Sequence, residues 1–98
     1  MYTYNMQCSS ISDIYTCLQD ILANEKNDAP ETLGAYVVGC TIVPDDIESY
    51  YKEYPILEEI AELGSDLEIA NYEKGKDGYY YIGLIRDKVI ELKQNIKV

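Results

Sequence analysis

The chain has 98 residues, a formal net charge of −10 at pH 7 and 47% hydrophobic residues. This length predicts a single domain covering residues 1–98, and the apolar content is high enough to form a core and to exclude a disordered chain. Such an acidic surface makes nucleic acid a poor direct partner and disfavours anionic membranes. There is no apolar run near the ~18 residues of a membrane-spanning helix and no visible secretory signal, so we predict a cytoplasmic protein.

Three residue types are missing, namely His, Phe and Trp, and 11 tyrosines supply all the aromatic rings. Without histidine the chain lacks the commonest general base and metal ligand, and a Ser–His or Cys–His nucleophile is excluded. We therefore predict a protein that is not an enzyme and holds no metal or cofactor. The preference for Ile, Lys and Tyr fits an AT-rich genome, such as that of a virus or mobile element, which would place the protein in the host cytoplasm.

The first part of the chain predicts a strand, a helix and a second strand. Residues 1–8 alternate between apolar and polar side chains, which favours a half-buried strand. Ser9 or Ser10 offers an N-cap for an amphipathic helix over residues 11–25. A polar loop follows over residues 24–34. Residues 35–43 are nearly all apolar and rich in β-branched side chains, which favours a central strand covered on both faces.

The acidic middle of the chain predicts two short helices or one kinked helix. Pro44 ends the second strand, and Asp45 or Asp46 can cap the next helix. Apolar side chains then recur at helical spacing on both sides of Pro55, which is well tolerated as the first residue of a new helix. Gly64 is a plausible C-cap.

The last third of the chain predicts a β-hairpin followed by one more element. Residues 67–72 alternate as a strand does, residues 73–78 contain an Asp-Gly turn signal, and residues 79–85 form the return strand. Residues 86–98 fit a short helix moderately, and a strand at 88–92 is the alternative.

The resulting order of elements is β-α-β-αα-β-β-α. It predicts an α+β fold with a single sheet of about four strands and helices packed on one face. A ferredoxin-like variant is the alternative, and it requires the last element to be a strand.

The charges are distributed unevenly along the chain. Residues 44–69 hold nine carboxylates and one base, Lys52, for a net charge of −8. Residues 74–98 have a net charge of +3, so the basic end can fold back on the acidic body or face a second subunit. A solvated helix face is the ordinary explanation of such a charge run. The alternative is a partner-binding surface formed by Asp45, Asp46, Glu48, Glu58, Glu59, Glu62 and Asp66.

The tyrosines and cysteines offer further candidates. Tyr79, Tyr80 and Tyr81 point to both faces of the predicted strand, so at least one is exposed, and tyrosine is enriched at protein interfaces. We predict these three residues as a possible dimer interface. Cys8, Cys17 and Cys40 show no metal-site spacing and fit the core, and whether two of them form a disulfide stays open.

Two functions are consistent with these features. The first is a small acidic non-enzymatic binding protein that docks its carboxylate-rich helical face on a basic, nucleic-acid-handling protein. Carboxylates three or four positions apart on a helix lie about 5–6 Å from one another, comparable with phosphates along a strand, so the protein could be a nucleic-acid mimic and a viral inhibitor. The alternative is a homodimeric structural or assembly protein of a virus or mobile element with no inhibitory role.

Overall fold

The computed structural model describes residues 10–42, 46–70 and 78–96, and this part of the chain is helical and without strands. Its helices are α1 (Ile11–Ala23), α2 (Pro30–Thr41), α3 (Ile47–Glu53), α4 (Pro55–Ile69) and α5 (Gly78–Asn95). The predicted α+β fold with a four-stranded sheet, and its ferredoxin-like variant, are therefore wrong. The predicted first strand and all of the predicted hairpin turn except Gly78 lie outside the described residues.

Helix α1 confirms the amphipathic helix expected near the N-terminus. The Ser10 side-chain oxygen accepts a hydrogen bond from the Asp13 backbone N–H at 3.2 Å, which satisfies one of the unpaired donors of the first turn. Ile14, Leu18 and Ile21 are fully buried at the spacing of one helix face. Asn24 ends the helix with its backbone N–H on the carbonyls of the last turn.

Helix α2 replaces the strand predicted over residues 35–43. It begins at Pro30, whose fixed φ and missing N–H suit the first turn of a helix. Leu33, Val37 and Cys40 are buried at helical spacing, and the Thr41 hydroxyl donates to the Val37 carbonyl at 2.7 Å. Since α2 packs against α1, α4 and α5, much of its circumference is apolar. A continuous apolar run therefore marked a central helix here and not a central strand.

Helices α3 and α4 confirm the helical pair expected on either side of Pro55, which is the first residue of α4. The predicted C-cap at Gly64 is wrong because α4 continues through Gly64 to Ile69. The predicted strand over residues 67–72 is wrong for the same reason, since its described residues belong to the end of α4. Asp46 precedes α3 with a left-handed φ of 60°, and its side chain makes no capping hydrogen bond.

Helix α5 replaces the predicted return strand and includes the segment whose conformation the sequence left open. Its buried side chains repeat at helical spacing from one predicted element into the next, and they are Tyr81, Ile82, Ile85, Val89 and Leu92. The apolar and aromatic run over residues 79–85 is therefore the first half of an 18-residue helix. Tertiary burial of one face outweighs the β-propensity of this run.

Helices α1, α2, α4 and α5 bury their apolar faces in one continuous core, while α3 packs on it with half-buried side chains such as Ile47 and Tyr50. Arg86 and Lys88 of α5 form ion pairs with Glu25 at 2.5 Å and with Glu59 at 3.5 Å. These pairs confirm, for the described residues, that the basic end of the chain folds back on the acidic body.

No helix in the described ranges combines the length and the apolarity needed to span a bilayer.

Two glycines let α2 and α4 approach each other closely. A Cβ atom on Gly34 would lie 2.6 Å from the Glu68 backbone nitrogen and 3.0 Å from the Gly64 carbonyl oxygen. A Cβ atom on Gly64 would lie 2.6 Å from a methyl carbon of Val37. Both glycines are buried, and the atoms opposite Gly34 belong to the backbone, which cannot move aside as a flexible side chain can. The contact between α2 and α4 therefore depends on the absence of side chains at these positions.

A buried disulfide joins α1 to α2 through Cys17 and Cys40, whose Cα atoms are 6.8 Å apart. It closes a loop with a sequence separation of 23 residues, which contains the turn between the two helices. The expected burial of these two cysteines is confirmed, whereas Cys8 lies outside the described residues. The cytoplasmic location stays a prediction.

We expect Gly34→Ala to lower the free energy of unfolding by about 1–3 kcal/mol, because the new methyl group meets backbone atoms of α4. Gly83→Ala is the matched control. A Cβ atom at Gly83 meets nothing within 4 Å, so this change should stabilise the helix by up to about 1 kcal/mol. Urea unfolding of both variants in dilute solution measures the difference, and equal stability of the two would contradict the close approach of α2 and α4.

We expect reduction of the Cys17–Cys40 bond to lower the free energy of unfolding by about 3 kcal/mol, because a loop of this length regains its chain entropy in the unfolded state. Urea titrations with and without reductant, on a Cys8→Ser background that removes the third cysteine, measure the change. Titration of thiols in the denatured Cys8→Ser protein should find none before reduction. Two free thiols at that stage would show that the bond does not form.

Candidate functional site

The exposed side of α4 carries most of the carboxylates predicted to bind a partner. Ile56, Leu57 and Ile60 face the core, so Glu58 and Glu62 lie on the opposite side of the helix, where both are exposed. The acidic side chains of this side are Glu58, Glu59, Glu62 and Asp66. At about 100° per residue these four positions fall within roughly 100° of the helix circumference. They also span about 12 Å of helix length, or one charge per about 4 Å.

Helix α3 brings another predicted carboxylate to the same surface. Glu48 and Glu58 line a depression of about 410 Å³ together with Tyr51 and Lys52. We call the surface formed by Glu48, Glu58, Glu62 and Asp66 the acidic face. Its depression offers two carboxylates and an aromatic ring, which suit a guanidinium group, but it also contains Lys52, with which an arginine of a partner would compete.

Tyr51 ties α3 to the end of α2. Its hydroxyl donates a hydrogen bond to the backbone carbonyl of Thr41 at the end of α2. Burial, and then the negative charge of Glu58, raise the pKa of Tyr51 above its usual value. The hydroxyl therefore keeps its proton, and its role as a donor, throughout the neutral range. Since Tyr51 and Glu48 lie on the same short helix, this bond also fixes where Glu48 stands.

The remaining predicted acids differ from one another in their surroundings. Glu59 lies 3.5 Å from the ammonium group of Lys88, so α5 partly neutralises its charge. Asp46 is exposed just before α3, and Asp66 is half-buried. Asp45 lies outside the described residues. The structure thus groups Glu48 with Glu58 and Glu62, and it directs Glu59 toward α5.

Sequence reasoning missed a second acidic depression, of about 330 Å³, at the corner between α3 and α4. Glu53, Glu59 and Glu91 line it, together with Tyr54 and other neighbours. Loss of hydration, and then the charge of Glu53 and a hydrogen bond with it, raise the pKa of Tyr54. No set of three or more His, Cys, Asp or Glu side chains in the described ranges is arranged to hold a metal ion. Only the packing of α5 on α4 brings Glu91 here, and no local sequence signal indicates it.

The three consecutive tyrosines of α5 are split between core and surface. Tyr79 and Tyr80 are 58% and 52% exposed, whereas Tyr81 is only 7% exposed. The expectation that at least one of them is exposed is confirmed, although they lie on a helix and not on a strand. The rings of Tyr80 and Tyr81 meet edge to face at 5.2 Å. Of the predicted interface residues, Tyr81 therefore belongs to the core.

Comparisons with known proteins found no matching protein family, no matching curated protein and no matching solved structure.

We expect the free energy of unfolding to fall more steeply above pH 10 in the wild-type protein than in Tyr51→Phe. The folded-state pKa of Tyr51 lies above the unfolded value of about 10, so its contribution is complete below that pH and is lost as the pH rises through the folded pKa. Glu58→Gln should lower the pKa of Tyr51 part of the way to its usual value, because it removes the negative charge of Glu58 and leaves the larger effect of burial. Urea unfolding at a series of alkaline pH values measures these slopes, and identical slopes in all three proteins would contradict the assignment.

Proposed function

We propose that this protein is a small non-enzymatic binding protein that docks its acidic face on a basic surface of another protein. The observation that carries the proposal is the grouping of Glu48, Glu58, Glu62 and Asp66 on one side of the α3–α4 pair, opposite the core. Docking there would leave the core undisturbed, since Glu48, Glu58 and Glu62 are exposed and point away from it.

Electrostatics favours a partner of this chemistry. Helices α3 and α4 together carry seven carboxylates and one lysine. The negative electrostatic field of these helices speeds the encounter with a basic partner and makes the association sensitive to salt. The depression beside Tyr51 would add specificity, because an arginine of the partner would take the place of Lys52 beside Glu48 and Glu58.

Proteins that handle nucleic acid are the class of partner that fits best. The α4 carboxylates of the acidic face, Glu58, Glu62 and Asp66, follow one another about every 6 Å along the helix axis, while one DNA strand rises ~3.4 Å per phosphate along its own axis. A groove lined with Lys and Arg that binds phosphates would therefore meet a regular row of negative charges, at a lower density than along a DNA strand. Occupation of such a groove would make the protein an inhibitor by mimicry, as a virus or mobile element would use it.

We expect Glu58→Lys/Glu62→Lys to abolish partner binding while the helical circular dichroism and the thermal unfolding midpoint stay close to those of the wild type. Tagged protein would be used to capture partners from nuclease-treated lysate at low and at high salt. A basic protein held at low salt and released at high salt is the expected result, with loss of at least about 90% of it in the double variant.

The matched control is Asp20→Lys/Glu91→Lys, which changes the net charge by the same amount at exposed positions on α1 and α5. If binding depends on the acidic face, this variant keeps most of its binding. Equal loss in both double variants would show that only the net charge matters. Capture that is insensitive to salt and to both variants would rule out acidic docking.

A further inference from the structure

The outer face of α5 is the side of that helix turned away from the core. We define it by the exposed or half-exposed residues that repeat along that side: Tyr79, Tyr80, Gly83, Arg86, Asp87, Ile90 and Lys93. It includes three of the large apolar side chains that remain strongly exposed in the described part of the chain. Ile90 is 55% exposed, although an isoleucine gains most when it is buried. This face therefore combines apolar surface with charges of both signs.

Gly83 has no explanation within the part of the chain that the structure describes. It lies in the interior of α5, where glycine costs about 1 kcal/mol relative to alanine. Among the described residues a Cβ atom there would meet nothing within 4 Å, in contrast to Gly34 and Gly64, where neighbouring atoms exclude one. Glycine on a helix surface permits the close approach of another element. The open space at Gly83 therefore leaves room for another helix to approach at this point.

The charge of α5 indicates which kind of molecule would approach its outer face. Among the five helices of the described ranges, α5 alone has a positive net charge, with three bases and two acids. Two copies of a chain with a net charge of −10 repel each other over most of their surfaces. On the outer face of α5 this repulsion is reduced, because Arg86 and Lys93 stand beside Asp87. A second copy thus meets less unfavourable charge here than on the acidic face.

We propose that two copies associate through the outer faces of α5, with the helices antiparallel and the two-fold axis between Arg86 and Asp87. In this register, each residue of one copy faces a residue of the other copy such that their two residue numbers add up to 173. Ile90 of one copy then stands over Gly83 of the other, so the exposed isoleucine fills the space left by the missing side chain. Because the interface is two-fold symmetric, this contact occurs twice.

The polar residues of the face also match in this register. Arg86 of each copy meets Asp87 of the other, and its guanidinium has enough donors to keep its ion pair with Glu25. Tyr80 of each copy meets Lys93 of the other, which places an ammonium group beside an aromatic ring. The interface shares no residue with the acidic face, so the proposed dimer does not depend on acidic docking and would present two acidic faces.

Sedimentation velocity between about 1 μM and about 1 mM tests the dimer, since a single-helix interface is small and is expected to be weak. The wild type should shift from the monomer mass of 11.2 kDa to twice that mass as its concentration rises. Gly83→Gln and Ile90→Gln should each raise the dissociation constant at least about tenfold. Ile42→Gln is the matched control, because Ile42 is an exposed isoleucine at the end of α2, and it should leave the dimer unchanged.

A charge exchange tests the antiparallel register. Arg86→Asp alone and Asp87→Arg alone each place like charges opposite each other twice, so each variant should be monomeric. An equimolar mixture of the two should form a heterodimer, because both opposed pairs become attractive again. Unfolding of the dilute variants shows that each still folds. A wild type that is monomeric at every concentration, a dimer that survives Gly83→Gln, or a mixture that stays monomeric would overturn the proposal.

Discussion

The close approach of α2 and α4 at Gly34 and Gly64 is the constraint on which the rest of the structure depends. Helix α2 contacts α1, α4 and α5, and it meets α4 closely because Gly34 faces the backbone of α4 and Gly64 leaves room for Val37. Once α4 is seated with Ile60 and Leu67 toward the core, Glu58 and Glu62 must face outward. The same crossing explains why α4 continues through Gly64, since the glycine is needed inside the helix as a contact and not at its end as a cap.

Charge and packing are arranged so that the repulsion between acidic residues is reduced. Glu58, Glu59, Glu62 and Glu68 of α4 are exposed, where water and salt screen their repulsion. Helix α5 lies against α4 and supplies Lys88 to Glu59, while Arg86 reaches Glu25 at the end of α1. Each of these exposed ion pairs contributes at most about 1 kcal/mol, so their main effect is to place the basic end beside part of the acidic body.

Two surfaces of opposite character follow from this arrangement. The acidic face is mainly negative and includes the depression beside Tyr51, which suits a basic partner. The outer face of α5 combines mixed charge with exposed Tyr79, Tyr80 and Ile90, which suits a copy of itself. Because the two surfaces lie on different helices and share no residue, both can be occupied at the same time, and a dimer would bind a repeated basic partner more tightly through its two acidic faces.

The sequence by itself determined α1 with its Ser10 cap, the helix pair around Pro55, the exposure of Glu58 and Glu62, and the burial of Cys17 and Cys40. In each case the signal is local, because a cap, a proline or an amphipathic repeat acts within one or two turns.

Only the tertiary structure decided that the apolar runs at 35–43 and 79–85 are helices. Such runs are rich in β-branched or aromatic residues and carry both β-propensity and helical periodicity, and the surroundings choose between them. At 35–43 the choice is made by contact with three other helices, and at 79–85 by a buried stripe that continues to Leu92. The depression that joins Glu48 to Glu58, and the pairing of Cys17 with Cys40, likewise depend on contacts between separate helices, which no local pattern encodes.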